Sequence, residues 1–518
     1  MKRVSRTSVA FGLLLLIVAA GTVLRLHLLS KRDLWVDESA SVFMAKLPWG
    51  DFWQTLWDFQ GNMAPYYLLL RGWLHLGDSE AAVRGLSVLF GVAVIPATYL
   101  LGKHLFGKNA AIASAALSAV NAFQIRYSQE ARSYSLVMLL VVLATYFFVR
   151  IMESPSRKQY WVGYVLASTL GVYAHLFVYL VIAVHFVALG YARLRLLPRK
   201  TLLFASACFI LLTVPINAFN FRQGQSAWVP RPTTHLVVDF SEVLTGNGGI
   251  LLVGAYAALC LVALFWPTES QAPRSSSLDE RWAVRLVATW LLFPIAVTLL
   301  VDFLKPVFFY RYMAISAPAL ALLAGQGVAK LDQVSLRLGG LRLRGLFPAS
   351  LLVMLGLSVW GVHRYDNSPA SQGDDWRQAI HYMLAGQQPG DAVFFYRGSG
   401  DWPFQYYARR EMEKYGIAVL PTVVFPLEVR TPEQNPDVQQ ARLAIQGRER
   451  VWLILQHYEA PPEREAAVQA IQEALQNGYR ISKEEVFHGV SGPIRVVLYV
   501  RGSGLAPVAI EDRKVFPK

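Results

Sequence analysis

Apolar runs long enough to cross a bilayer recur through the first two-thirds of this chain, and no other feature constrains its fold as strongly. Residues 8–29, 133–151, 176–192 and 345–362 each approach the ~20 apolar residues that span roughly 30 Å of hydrocarbon. In hydrocarbon every backbone N–H and C=O must be paired inside the chain, so such runs fold as helices. Only 16% of the 518 residues are charged, against about 25% in soluble proteins. The runs continue far beyond the first one, which excludes a secretory signal as their explanation.

The formal net charge of +14 fits a positive-inside bias together with affinity for anionic lipid or a phosphate-bearing substrate. Zinc-finger spacings, RNA-binding signatures and base-reading basic helices do not occur, so nucleic acid is not an expected partner. Cys208 and Cys260 both fall inside predicted spans, which argues against a structural disulfide.

Charge also sets the topology. Lys2, Arg3 and Arg6 precede the first span and place the N-terminus in the cytoplasm. Residues 63–77 are apolar but short and are interrupted by Arg71, so they read as an interfacial helix and not as a span. Further spans are expected near 84–102, 109–125, 133–151, 160–174, 176–192, 201–219, 248–266, 284–301, 312–329 and 345–362. The basic turns at 102–108, Arg157-Lys158, 193–200 and 330–344 then all face the cytoplasm. The expected architecture is a polytopic α-helical membrane protein of about eleven spans, with membrane lipid as its surroundings. It would sit in the cell (inner) membrane with its C-terminus outside. The outside loop 220–247 carries Arg222, Trp228, Pro230, Arg231 and Pro232. From residue 363 onward charged surface alternates with short apolar runs at 391–397, 417–425, 451–457 and 494–500, and helical patterns occupy 374–386 and 462–477. That alternation predicts an extracytoplasmic α/β domain over 363–518, following a transmembrane domain over 1–362.

The polar motifs gather on the outer side. Asp37-Glu38 follows Trp35 just past the first span. A plain reading makes Asp37 the cap of a short helix through 39–46; the alternative is a partly desolvated carboxylate acting as general base. Segment 121–135 (NAFQIRYSQEARSYS) joins two spans, and Ser128 and Glu130 suit the start of a helix there. Its Tyr127, Gln129, Glu130, Arg132 and Tyr134 are more than a passive hairpin needs, and the fork of Arg126 or Arg132 matches phosphate oxygens. His175 stands between two spans. Lys305 and Arg311-Tyr312 precede another, where cations and tyrosines are common anchors. No Walker loop, zinc-protease motif or nucleophile elbow is present.

These residues resemble a known superfamily. WVDES at 35–39, MAPYYLLLRGWLHLGDSEAAVRGLSVLFG at 63–91, YLLGKHLFG at 99–107, IRYSQEARSYSL at 125–136 and FYRYMAISAPALALLAG at 309–325 are similar to the lipid-sugar-dependent membrane glycosyltransferases of GT-C fold. The likeness is to the bacterial dolichyl-phosphate-mannose-protein-mannosyltransferase-like branch, related to aminoarabinose transferases. The resemblance implies transfer of a sugar from a polyprenyl-phosphate-linked donor to a protein, lipid or glycan hydroxyl at the outer face. It implies Asp37 as base in a single inverting displacement, with Arg132 and Arg311 stabilising the leaving phosphate. Glu38 and Glu130 would position those groups or the sugar hydroxyls. Tyr127, Tyr134, His175, Tyr312 and Arg71 complete the implied substrate site, Arg71 standing in a helix that begins Met63-Ala64-Pro65. Few outer acids lie near Asp37, which favours a monophosphate donor with no metal cofactor over a divalent-metal enzyme. Two other classes compete: a secondary transporter or lipid flippase, which calls for repeats and ionisable residues at mid-membrane, and a non-catalytic glycan-binding scaffold.

Overall fold

The computed structural model describes residues 6–191, 197–223, 233–266, 279–332, 336–338, 341–343, 346–396, 400–415, 422–427, 447–456, 472, 475, 478–490 and 492–502. The chain divides into two compact units. One joins Met1–Ser30 to Met44–Ser368, and the other joins Lys31–Phe43 to Pro369–Lys518.

The first unit is helical. Helices stand at all the span positions expected from sequence: Arg6–Leu26, Glu80–Phe106, Lys108–Val120, Tyr134–Glu153, Lys158–Ala174, Val178–Tyr191, Arg199–Gln223, Gly249–Phe265, Glu280–Asp302, Ala317–Leu331 and Phe347–Asp366. Among the described residues seven are long and apolar enough to cross a bilayer unaided, counting Ala317–Leu331 with the turn before it as Tyr310–Leu331. Helices 108–120, 158–174, 178–191 and 249–265 are shorter. The last of these joins His235–Thr245 across a 73° bend, as a broken span would.

Local chemistry explains the boundaries. Ser79 Oγ accepts the N–H of Ala82 at 3.2 Å and opens Glu80–Phe106. Gly107, at φ +92°, ends that helix and starts the next. Helix Lys108–Val120 is rich in Ala and Ser, so neighbouring backbones approach closely, as small residues allow in membranes. A Cβ on Gly325 would collide with Ser114. The interfacial candidate forms Ala64–Trp73 and a 3-10 turn Leu74–Leu76. Ten helical residues cover only about 15 Å, half a bilayer core.

Two expectations need correction. The segment 220–247, expected as a loop, contains a helix, Thr234–Thr245, capped by Thr233 and closed by Gly246 at φ +111°. Its Trp228, Pro230, Arg231 and Pro232 lie outside the described residues. Ser128 does not start a helix either. It ends Ala122–Ser128, whose cap is Asn121.

The second unit holds a five-stranded sheet ordered Thr422–Leu427, Ala392–Tyr396, Arg450–Leu455, Ile494–Arg501 and Tyr479–Phe487. The first three strands run parallel, and the last two pairings are antiparallel. Helices Trp376–Ala385 and Asp401–Tyr415 accompany it, confirming an α/β domain. The helix expected at 462–477 lies outside the described residues. Asp391 is buried at the foot of the central strands, where it accepts from Arg450 Nε (2.8 Å), Trp452 Nε1 (2.9 Å) and the Gln388 amide (3.0 Å). A buried carboxylate is tolerated when it is satisfied in this way.

Candidate active site

In the motif at 121–135 about half of the polar residues are structural. Asn121 Oδ1 accepts the Gln124 amide at 3.0 Å, and its Nδ2 donates to Leu244 O and Thr245 O at 3.1 and 3.2 Å. Ser128 Oγ donates to Gln124 O. Gln129 Nε2 donates to the carbonyls of Arg25 (3.1 Å) and His27 (2.7 Å), which satisfies the open end of the first helix. Arg25, fully buried within that helix, donates to Ser128 Oγ, Ala119 O and Ser118 O. These bonds fix the backbone from which Arg126, Tyr127, Glu130 and Arg132 project.

Those residues meet a second group from other helices. Arg132 Nη1 donates to Tyr67 Oη at 3.3 Å, and the Arg132 carbonyl accepts from Ser87 Oγ at 3.2 Å. Ser87 in turn shares a 2.7 Å bond with Tyr66. Tyr127 packs between Phe123 and Tyr134, with ring centroids 4.7 and 5.1 Å away. Ser133 Oγ donates to Ala174 O at 3.0 Å, holding the chain just before His175. The His175 ring lies 4.8 Å from Tyr312 and 5.1 Å from Phe177. The Arg311 guanidinium is 4.7 Å from the Phe309 ring and 5.9 Å from that of Tyr312. Arg311 owes its place to Asp302, whose Oδ1 accepts the amides of Val307 (2.5 Å) and Phe308 (2.8 Å) and shapes the turn before it. Glu130 and Arg126 form an ion pair at 3.3 Å.

Arg132, Tyr127, Tyr134, His175, Arg311 and Tyr312 therefore converge at one end of the helical unit. The field there is positive. Burial first, then Arg311 and Arg132, push the His175 imidazole down to about 3, so it is neutral at physiological pH. Its Nδ1 accepts the Phe177 amide at 3.2 Å, which leaves the proton on Nε2, available to donate. Burial raises the Tyr127 phenol, against the opposing pull of Arg126. Tyr67, Phe177 and Phe309 belong to this cluster and were not singled out from sequence. The Pro65-Tyr66-Tyr67 run at a helix start was the available signal for Tyr67.

Asp37 and Glu38 lie in the other compact unit, in the first turn of helix Val36–Lys46. That helix begins at Val36, so Asp37 sits inside it and is not the cap of a helix through 39–46. Glu38 is 1% exposed. The Asp37 carbonyl accepts from Ser41 Oγ at 3.0 Å. Arg71 is turned to the carbonyls of Ala45 (3.3 Å) and Leu47 (2.5 Å) and lies 3.9 Å from the Trp49 ring, as a residue closing a helix end would be. No group of three or more His, Cys, Asp or Glu among the described residues is placed to hold a metal ion.

Residues 63–219 match the family model described as dolichyl-phosphate-mannose-protein mannosyltransferase. No curated protein matches the sequence. Among solved structures, ArnT from Cupriavidus metallidurans in the apo state is similar with a TM-score of 0.58 at 13% identity, over 95% of this chain and 98% of that one. The same protein bound to undecaprenyl phosphate gives 0.54 at 13% identity, over 94% and 98%. The oligosaccharyltransferase AglB from Archaeoglobus fulgidus, in complex with an inhibitory peptide and a dolichol-phosphate, gives 0.50 at 10% identity, over 96% and 74%. At these identities the structural likeness is one of fold, and the fold is that of the GT-C glycosyltransferases.

Proposed function

We propose that this multi-pass membrane protein of GT-C fold is a glycosyltransferase that moves a sugar from a polyprenyl-phosphate donor to an acceptor hydroxyl at the extracytoplasmic face. The observation that carries this reading is the convergence of Arg132 and Arg311 on a buried neutral His175 among tyrosines, at one end of a bundle of apolar helices. A site with two guanidiniums and a positive field suits a phosphate at the membrane surface. Two of the structures similar in fold were solved with undecaprenyl phosphate and dolichol-phosphate, lipids of that chemistry.

In this reading Asp37 takes the proton of the acceptor hydroxyl as the oxygen attacks the anomeric carbon. The bond from that carbon to the phosphate oxygen breaks, its electron pair leaves with the polyprenyl phosphate, and the anomeric configuration inverts. Negative charge grows on the phosphate, and Arg132 and Arg311 are the residues assigned to stabilise it. An anionic phosphate leaves without an acid catalyst, consistent with the neutrality of His175, whose Nε2 proton serves as a hydrogen-bond donor. Glu130 holds Arg126 and trims the positive field, and Glu38 orients the turn that carries Asp37. Membrane orientation follows from charge, with the N-terminus in the cytoplasm and the cluster outside.

The test is Asp37→Asn in the purified full chain, assayed with labelled polyprenyl-phosphate sugars. Transfer should fall by about 10²–10⁴-fold, the usual worth of a general base, while donor binding stays within about twofold of wild type. Undiminished transfer would remove Asp37 from the base's role.

A further inference from the structure

The segment that carries Asp37 and Glu38 belongs to the same compact unit as the C-terminal α/β domain, although the contacts that join them lie 344 and 373 residues apart in sequence. Asp33 is the first anchor. Its Oδ2 accepts the backbone N–H of Arg377 at 2.8 Å, and its Oδ1 lies 3.2 Å from the Arg377 guanidinium. Helix Trp376–Ala385 has Asp375 at its N-cap with no side-chain capping bond. Asp33 therefore meets one of that helix's orphan donors from a distant part of the chain, and a carboxylate is favoured at a helix N-terminus.

Leu34 is the second anchor. Its amide donates to Tyr407 Oη at 2.6 Å, and both residues are buried. The Arg377 guanidinium lies 5.6 Å from the Tyr407 ring, tying the two anchors together. On the far side of the carboxylates, the Phe43 ring meets Trp402 at 6.4 Å. Gly373, at φ +83°, turns the chain beside Arg32 and Asp33 in a conformation that favours glycine. Asp37-Glu38 is thus bracketed at 33, 34 and 43 by one domain.

The place of these contacts is informative. Helix Asp401–Tyr415 follows strand Ala392–Tyr396, so Trp402 in its first turn lies beyond the carboxyl end of the parallel strands. In open α/β sheets that edge is where ligands bind. Here it grips the chain's own segment.

We infer that the C-terminal domain is the mount for the base: Arg377 and Tyr407 are positioning residues that set where Asp37 stands. This rests on the assignment of Asp37 as base. A displacement of about 1 Å in a catalytic group costs on the order of 10²-fold in rate, so the domain controls turnover through these bonds.

The test uses the full chain in lipid nanodiscs, with Asp33→Ala, Tyr407→Phe and Asp33→Asn. Hydrogen exchange of amides 33–43 and steady-state transfer from a labelled polyprenyl-phosphate sugar are measured on the same preparations. Asp33→Ala, which removes the acceptor for the Arg377 amide, and Tyr407→Phe should speed exchange in 33–43 and lower kcat by about 10–10²-fold. KM for the donor should stay within about twofold, since uniform binding is untouched. Asp33→Asn, which keeps an oxygen to accept that amide, should recover part of kcat. Unchanged exchange overturns the mount. Faster exchange with unchanged kcat, or a loss carried by KM alone, overturns the positioning role. A wild-type chain that transfers no sugar from any donor refutes the transferase assignment instead, and the exchange data then decide the mount by themselves.

Discussion

The two ends of the helical unit use the same residue types for different purposes. At the far end of helix Tyr134–Glu153, Arg150 donates to Glu153 Oε2 at 2.8 Å and to Tyr160 Oη at 2.5 Å. At the far end of Ala317–Leu331, Lys330 donates to the carbonyls of Ala263 and Trp266 at 2.8 and 2.9 Å and lies 3.3 Å from Glu280. Glu280 also accepts from Gln326 at 3.0 Å. Each cation there is matched to a carboxylate or carbonyls, which is how a buried charge becomes tolerable. At the opposite end, Arg132 and Arg311 gather with Tyr67, Phe309, Tyr312 and His175. Both guanidiniums bear on the His175 imidazole and help depress it, which reports a positive field. At one end the cations meet carboxylates and carbonyls, and at the other they gather with aromatic rings around His175.

The comparison breaks most visibly at the cationic end. Arg132→Ala or Arg311→Ala should lower transfer by about 10²–10³-fold, the worth of a preorganised charge-stabilising donor, with little change in melting temperature. Lysine should restore only part of the rate, because an ammonium lacks the bidentate fork. Equal rates in wild type and both alanine variants would mean the field does no chemistry.

At the other end the effect should be on stability alone. Glu280→Ala leaves Lys330 buried without its carboxylate and should cost about 3–5 kcal/mol, measured by thermal unfolding in detergent. Transfer per folded molecule should not change. A rate loss exceeding the loss of folded protein would show that the ends are coupled.

A third effect is expected from His175 and pH. Its pKa falls from 6.5 to about 3 on folding, so between those values the unfolded chain binds more protons. The sign follows: stability present above about pH 6.5 is lost progressively as the pH falls toward about 3. His175→Gln should flatten part of the acid side of the stability profile between pH 6.5 and 4. An unchanged profile would place the acid lability elsewhere.

Much of this was legible in sequence, because bilayer thickness and backbone pairing leave helices as the only choice for long apolar runs. The polar cluster was legible as residue types sharing a face, since Arg132, His175 and Arg311 each fall between apolar segments. The division of labour within 121–135 was not. Asn121, Gln124, Ser128 and Gln129 look as chemical as Arg132, and only their bonds to carbonyls and neighbouring side chains on other helices show them to be scaffold. Strand Tyr479–Phe487 escaped notice because it is an edge strand, exposed along its middle and carrying Lys483, Glu484 and Glu485, the charges that protect an edge from further pairing. Helix Asp401–Tyr415 is hard to read because its inward stripe of Phe404, Tyr407 and Ala408 is short and set among Arg409, Arg410, Glu411 and Glu413. The docking of Lys31–Phe43 within the C-terminal unit could not be read at all. It depends on one carboxylate and one amide meeting partners more than three hundred residues away, and local pattern carries no trace of such pairing.

The most direct measurement is equilibrium binding of a polyprenyl phosphate, without sugar, to the purified full chain in nanodiscs. Wild type is compared with Arg132→Ala, Arg311→Ala and, as the opposite-end control, Lys330→Met. Wild type and the control should bind alike, and each arginine variant should bind at least about tenfold more weakly, as expected when a charge-assisted bond worth about 1.5–3 kcal/mol is removed. Binding that is equal in all four proteins, or lost only in the Lys330 variant, would contradict the assignment of the cationic, aromatic end as the phosphate site.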